Sequence, residues 1–329
     1  MTQSSPRAVV AAFQVSNAWR AIWQLVTAVG SYLAVWGVLI WAVHVTWWLA
    51  LPLALLAGAL LVRVFIIFHD CGHGSFFASR RANDVWGVIT GVLTFTPYEH
   101  WRGEHAIHHG TTGNLDRRGV GDVWTMTLGE YRAAGRWRRL AYRVARNPLV
   151  LLLVAPLVMF LIEHRIPDRR SSARAQRSVW LTTAAIVVWG GSLTMVMGFF
   201  PYLILQLAIL AFAGAIGVWL FYSQHQFDGA YWQRDESWSY EDAALKGSAF
   251  LKLPRLLQWF TGNIGYHHIH HLSARIPNYN LQACHESHPM FAAVAPLTML
   301  RSIRAFGLKL WDEQRGKLVP FAMAARQGG

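Results

Sequence analysis

Two stretches of this chain, residues 21–62 and 178–224, contain no Asp, Glu, Lys or Arg. No other feature limits the fold as strongly. At about 1.5 Å per residue the first would make roughly 60 Å of helix, against a bilayer hydrocarbon core about 30 Å thick. Each stretch therefore predicts two membrane spans joined by a tight turn. The first pair falls near 22–44 and 46–67, turning at His44–Thr46, and the second near 178–198 and 202–222, turning at Gly198–Pro201. Two shorter apolar pieces, 85–97 and 149–162, fall below the roughly 20 residues that a crossing needs. They read as interfacial or re-entrant helices. Of 329 residues 54% are hydrophobic and 14% charged, where a soluble domain carries roughly 25% charged residues. That balance excludes a soluble two-domain enzyme, and its hydrophobicity excludes disorder. Tryptophans such as Trp47 and Trp48 are most simply interfacial anchors.

The charge between the spans orients them. Sixteen arginines lie from Phe68 to Arg177, while the two short turns carry no Lys or Arg. Basic loops stay on the cytoplasmic side, so the middle segment and both termini are expected there. A lone crossing at 149–162 would export the run Arg169, Arg170, Arg174 and Arg177. The expected architecture is an all-α integral membrane protein with one domain over residues 1–329. It has four transmembrane helices in two hairpins, short interfacial helices, and a cytoplasmic helical cap from Asp228 onward. No cleaved signal is read in the first twenty residues, which lack an apolar core. A bacterial inner membrane is the expected location. The formal charge of +13 sits beside apolar spans, which favours anionic lipid headgroups or an acidic protein partner over nucleic acid. Two cysteines, Cys71 and Cys284, exclude a disulfide scaffold and a cysteine-based metal framework.

The chemistry lies in the histidines. Three boxes stand out among the fifteen: His69-Asp70-Cys71-Gly72-His73, His105-Ala106-Ile107-His108-His109 and His267-His268-Ile269-His270-His271. On a helix, positions i, i+3 and i+4 share a face. The first box therefore aligns two imidazoles, and each of the others aligns three. Imidazole suits iron, zinc, copper or nickel. Eight such ligands, nine with His225 beyond the fourth span, are too many for one ion and about right for two. All four elements fall at the cytoplasmic edge of apolar segments, so they can meet at one membrane face.

These residues resemble the membrane fatty acid desaturases of the acyl-lipid type. The likeness runs from His69–Phe76 through His105–Thr111 to His267–Tyr279, where Ile276-Pro277-Asn278-Tyr279 follows the third box. The four-residue spacing of the first box looks like that of enzymes acting at delta-12 or omega-3 positions. The resemblance implies two iron ions, O2 as co-substrate, and insertion of a double bond into a lipid-linked acyl chain. It implies as metal ligands His69, His73, His105, His108, His109, His267, His270 and His271, and it places a further ligand in the region of His225. Ligating histidines need an acceptor at the far ring nitrogen, and Asp70 and Asn263 are the candidates. No His-Pro-Gly-Gly haem motif or flavin fingerprint is present, so electrons are expected from an external ferredoxin or cytochrome b5-like donor.

Other histidines read more plainly. His100 is a polar neighbour of the site, His268 points off the ligand face, and His44 lies at an external turn. His164, His285 and His288 read as surface or interfacial residues, and Cys71 as packing. Two rival functions remain. One is a related di-iron hydroxylase or monooxygenase acting on acyl chains, alkanes or carotenoids, which the Ile-Pro-Asn-Tyr tail disfavours. The other is a metal transporter or sensor, which would place ionisable ligands in mid-membrane; both apolar stretches lack acidic residues.

Overall fold

The computed structural model describes residues 5–325. Four of its helices are long and apolar enough to cross a membrane: Ala18–Val45, Trp47–His73, Ala173–Met197 and Phe199–His225. The apolar stretches thus form helices where expected, but the helices run past them. The second continues through His69 to His73, and the fourth ends on His225. These histidines therefore occupy rigid final turns and not the loops beyond. The breaks are local. Thr46 is extended between the first two helices and its hydroxyl accepts from the Trp48 N–H at 3.4 Å. Gly198, at φ +88°, makes the turn between the last two in a conformation that glycine enters without steric cost. The second helix is the most buried of the four. The first and fourth helices and the helix Arg80–Leu93 all pack against it, around Leu60, Val64, Phe68, Leu205 and Ile209.

Neither short apolar piece forms a single helix of spanning length among the described residues, and the second belongs to a bent helix pair that could be a broken span or a re-entrant loop. Residues 85–97 belong to the helix Arg80–Leu93 and the turn after it. Residues 149–162 fall in a helical run, Val150–Arg165, that meets the helix Arg136–Ala145 at 63°. The break lies at Asn147-Pro148, where proline disfavours a helical residue before it. A π-helical turn at Val150–Val154 precedes Pro156, whose missing N–H cannot close the normal ladder.

The all-α expectation needs correction. Outside the long helices the chain adds small sheets as well as short helices. Met126–Thr127 pairs in parallel with Leu310–Asp312, which pairs antiparallel with Lys317–Val319, and Phe250–Leu251 pairs in parallel with Pro296–Leu297. Strands of two or three residues leave no readable alternation, so the sequence carried no signal for them.

A buried cation fastens this region to the bundle. The Arg146 guanidinium donates to the Tyr222 hydroxyl at 3.0 Å, Gln226 Oε1 at 2.9 Å, and the carbonyls of Leu308 at 3.0 Å and Trp124 at 3.3 Å. The Lys309 ammonium donates to the Arg146 carbonyl in turn. Replacing Arg146 with Met would strand several buried acceptors. We expect it to cost about 3 kcal/mol or more, seen as a lower unfolding midpoint in detergent. Val188→Ala, at a position 68% exposed on the third long helix, should change stability by less than about 0.5 kcal/mol.

Candidate metal centre

Five segments bring the box histidines together: the ends of the second and fourth long helices, the helix Tyr98–Thr111, the short helix His267–Leu272, and the loop that holds Asp122. Close packing at Gly72 sets the distance between the first two boxes. A Cβ there would lie 2.8 Å from Trp101, and Trp101 stacks on His105 with ring centroids 4.2 Å apart.

Two groups form. In the first, one ring nitrogen from each of His69, His73, His105, His109 and His270 lies within 4.8 Å of all the others. In the second the same holds for His108, His225 and His271. His267 belongs to neither group, but its Nε2 faces His225 Nε2 at 2.9 Å. Other ring nitrogens face each other as closely, His109 to His105 at 3.2 Å and His270 to His109 at 3.0 Å. Two nitrogens bound to one ion at about 2.1 Å, roughly at right angles, would stand about 3.0 Å apart. Among the described residues seven histidine ring nitrogens are buried with no hydrogen-bond partner: Nε2 of His73, His108 and His271, and Nδ1 of His109, His267, His270 and the off-site His268. Burial, then the neighbouring imidazoles, hold His105, His109, His267, His270 and His271 well below the ordinary histidine pKa. They are therefore neutral, the form that ligates metal. The donors fit a pair of transition-metal ions.

Acceptors behind the rings orient several of them. Asp122 Oδ1 lies 2.7 Å from His108 Nδ1, Asp70 Oδ1 3.1 Å from His69 Nδ1, and the Gly247 carbonyl 3.4 Å from His225 Nδ1. Each contact leaves Nε2 to face inward. Asp70 is thus where the sequence suggested. Its other oxygen accepts from the Asn278 backbone N–H at 2.6 Å and side-chain amide at 2.9 Å. The Tyr279 hydroxyl donates to the Phe76 carbonyl at 2.9 Å. The Ile276–Tyr279 tail therefore locks the third box onto the first.

Asn263 is placed differently from its expectation. It bonds no histidine. Its amide donates to the Asn278 carbonyl at 3.1 Å, and its Oδ1 accepts from Gln258 at 2.8 Å. Its φ of +60° explains the residue type, because asparagine tolerates the left-handed region. Asp122 and Gly247 were missed. Asp122 lies fourteen residues past His108, too far for any helical spacing to flag, and a backbone carbonyl has no sequence signature. His268 points away and pairs with His285 at 3.0 Å. His164 and His285 are buried and not on the surface. His164 Nδ1 lies 3.4 Å from the Phe95 carbonyl. His288 caps the helix Pro289–Ala292, and His100 lies 3.5 Å from Glu104. Cys71 is packed in the core.

A buried histidine cluster that could hold metal, at the ends of helices long and apolar enough to cross a membrane, fits one class, the membrane metalloenzymes. The comparisons narrow it. The profile of the fatty acid desaturase family matches residues 46–300. A fatty acid desaturase of Bacillus subtilis (strain 168) is 43% identical over 312 residues, covering 95% of this chain and 89% of that protein. From Synechocystis sp. (strain ATCC 27184 / PCC 6803 / Kazusa), an sn-1 oleoyl-lipid 12-desaturase is 28% identical over 254 residues, 73% of this chain and 68% of its own. An sn-1 acyl-lipid omega-3 desaturase (ferredoxin) of the same organism is 26% identical over 261 residues, 75% of this chain and 69% of its own. The chain belongs to the fatty acid desaturase family and is an oxidoreductase.

Removing the acceptor behind His108 tests the geometry. Asp122→Ala should lower affinity for the bound transition metal by about 10–100-fold, read as metal per protein after dialysis against a competing chelator. His268→Ala, off the site, should leave it unchanged.

Proposed function

We propose that the chain is a single membrane-embedded unit that inserts a double bond into a lipid-linked acyl chain. In this reading His69, His73, His105, His109 and His270 hold one iron, and His108, His225, His271 and His267 hold the other. The observation that carries it is the two adjacent groups of inward-facing, buried ring nitrogens. Iron held at open positions would supply the oxidising power that unactivated methylenes require. The overall step takes two hydrogens from adjacent CH2 groups and consumes O2, two electrons and two protons. It yields a cis or trans CH=CH unit and two waters. The protein's residues aim the Nε2 of His69, His108 and His225 inward through Asp70, Asp122 and the Gly247 carbonyl, and cover His105 with Trp101.

An external carrier supplies the two electrons, of the ferredoxin or cytochrome b5 kind. The ferredoxin in the name of the Synechocystis omega-3 relative supports the former. The helices lie as two hairpins with the histidines and the basic loops on the cytoplasmic side, in a bacterial inner membrane, and the region after His225 forms the cytoplasmic cap. Cysteine labelling tests this orientation. With Ser171→Cys, an impermeant thiol reagent applied from outside should fail to label, while His44→Cys at the opposite end should label. Efficient external labelling at position 171 would reverse the orientation.

Expression in a host without polyunsaturated lipids, followed by mass spectrometry of its fatty acids, tests the reaction. New double bonds are expected. An added oxygen in their place would assign the chain to hydroxylation. His225→Ala should lose iron and nearly all product, whereas a mere helix-end hydrogen bond would cost about 1 kcal/mol of stability and spare turnover.

A further inference from the structure

A groove of about 950 Å³ lies beside the centre, between the segment Phe227–Ala249 and the C-terminal region. Five cations line it, Lys246, Arg301, Arg304, Arg315 and Lys317, against one carboxylate, Asp228. Lys246 pairs with Asp242 at 2.7 Å and Arg315 lies 3.7 Å from Asp312. Among the described residues Arg301, Arg304 and Lys317 have no acidic partner. The floor is apolar, with Leu245, Leu297 and Leu318. A site with a cationic rim and an apolar floor suits an amphiphile with an anionic head.

The helix Met299–Arg304 sets the depth of this groove. Its Ser302 is buried and accepts from Trp219 Nε1 at 3.0 Å. Trp219 is six residues before His225, so this contact lies roughly 9 Å into the fourth long helix from its histidine end. On the same short helix Leu300 and Ile303 are 57% and 58% exposed. Arg301 and Arg304, three residues apart, both line the groove. One short helix thus carries both exposed apolar side chains and groove-lining guanidinium groups, beside the histidine end of the fourth long helix. Arginine matches phosphate oxygens with paired N–H donors.

We infer that this groove binds the phosphate headgroup and upper chains of an anionic glycerophospholipid. Gly247, whose carbonyl meets His225, lies between two residues of the groove wall, Lys246 and Ser248. The lipid head therefore sits one peptide away from the second histidine group. The inference takes only its membrane orientation from the proposed function.

The test reads lipid mass and not turnover, so it can fail while the desaturase reading stands. Wild-type protein is reconstituted in nanodiscs of equal phosphatidylglycerol and phosphatidylcholine and extracted into detergent, and its retained lipids are counted by mass spectrometry. Wild type should retain phosphatidylglycerol in excess. Each basic residue near an anionic membrane is worth roughly a fivefold change in affinity, so Arg301→Gln with Arg304→Gln should lower the preference about 25-fold. Lys317→Gln, on a separate strand, should lower it about fivefold. Equal retention in wild type and variants would overturn the inference. So would full displacement of the lipid by excess inorganic phosphate, which would mark a free-anion site. Unchanged lipid preference together with lost, salt-sensitive binding of an acidic ferredoxin would assign the groove to a redox partner.

Discussion

Neutral imidazoles facing one another at about 3 Å are the interaction on which this structure turns. Such contacts are unfavourable if both rings are charged, and in water the rings would prefer solvent. Burial removes the proton and the solvent together, so the same packing that makes the site costly also makes its nitrogens available. The surrounding architecture serves that end. Two long helices deliver His69, His73 and His225 on rigid turns, and the Asn278–Tyr279 tail bonds to Asp70 and Phe76. The cover above them is fastened through Arg146.

Much of this was legible in the residues. Forty-residue runs without charge have few ways to fold, and period and spacing locate both the apolar helices and the boxes. His225 was readable because it follows the fourth run directly. What escaped depends on long-range closure. Asp122 reaches His108 through a loop, and Gly247 contributes only a carbonyl. The short strands carry no pattern of their own because their partners are distant in sequence, Met126 against Leu310 for example. Asn263 shows the converse error, in which proximity along the chain implied a contact that its left-handed backbone redirects to Asn278.

Buried arginines show a common solution on both sides of the boundary. The terminal nitrogens of Arg146 donate to carbonyls, an amide and a hydroxyl, and Arg63, inside the second helix, lies over the Trp259 ring at 4.1 Å and donates to its carbonyl, while the Nε of each is buried without a partner among the described residues. Neither has a carboxylate partner among the described residues. Backbone dipoles and a π-face spread the charge without introducing acids close to ligands that must remain uncrowded by competing anions.

The split between the two histidine groups has a consequence for biogenesis. Four of the five nitrogens in the first group come from residues 69–109, while two of the three in the second come from residues 225 and 271. A chain made from its amino terminus therefore has most of the first group in hand while two-thirds of these 329 residues are still to be synthesised. The second group waits for the last box, and both close only when His270 and His271 arrive. The two sites are unequal in time: one is a nearly finished cradle early in synthesis, and the other exists only in the near-complete chain.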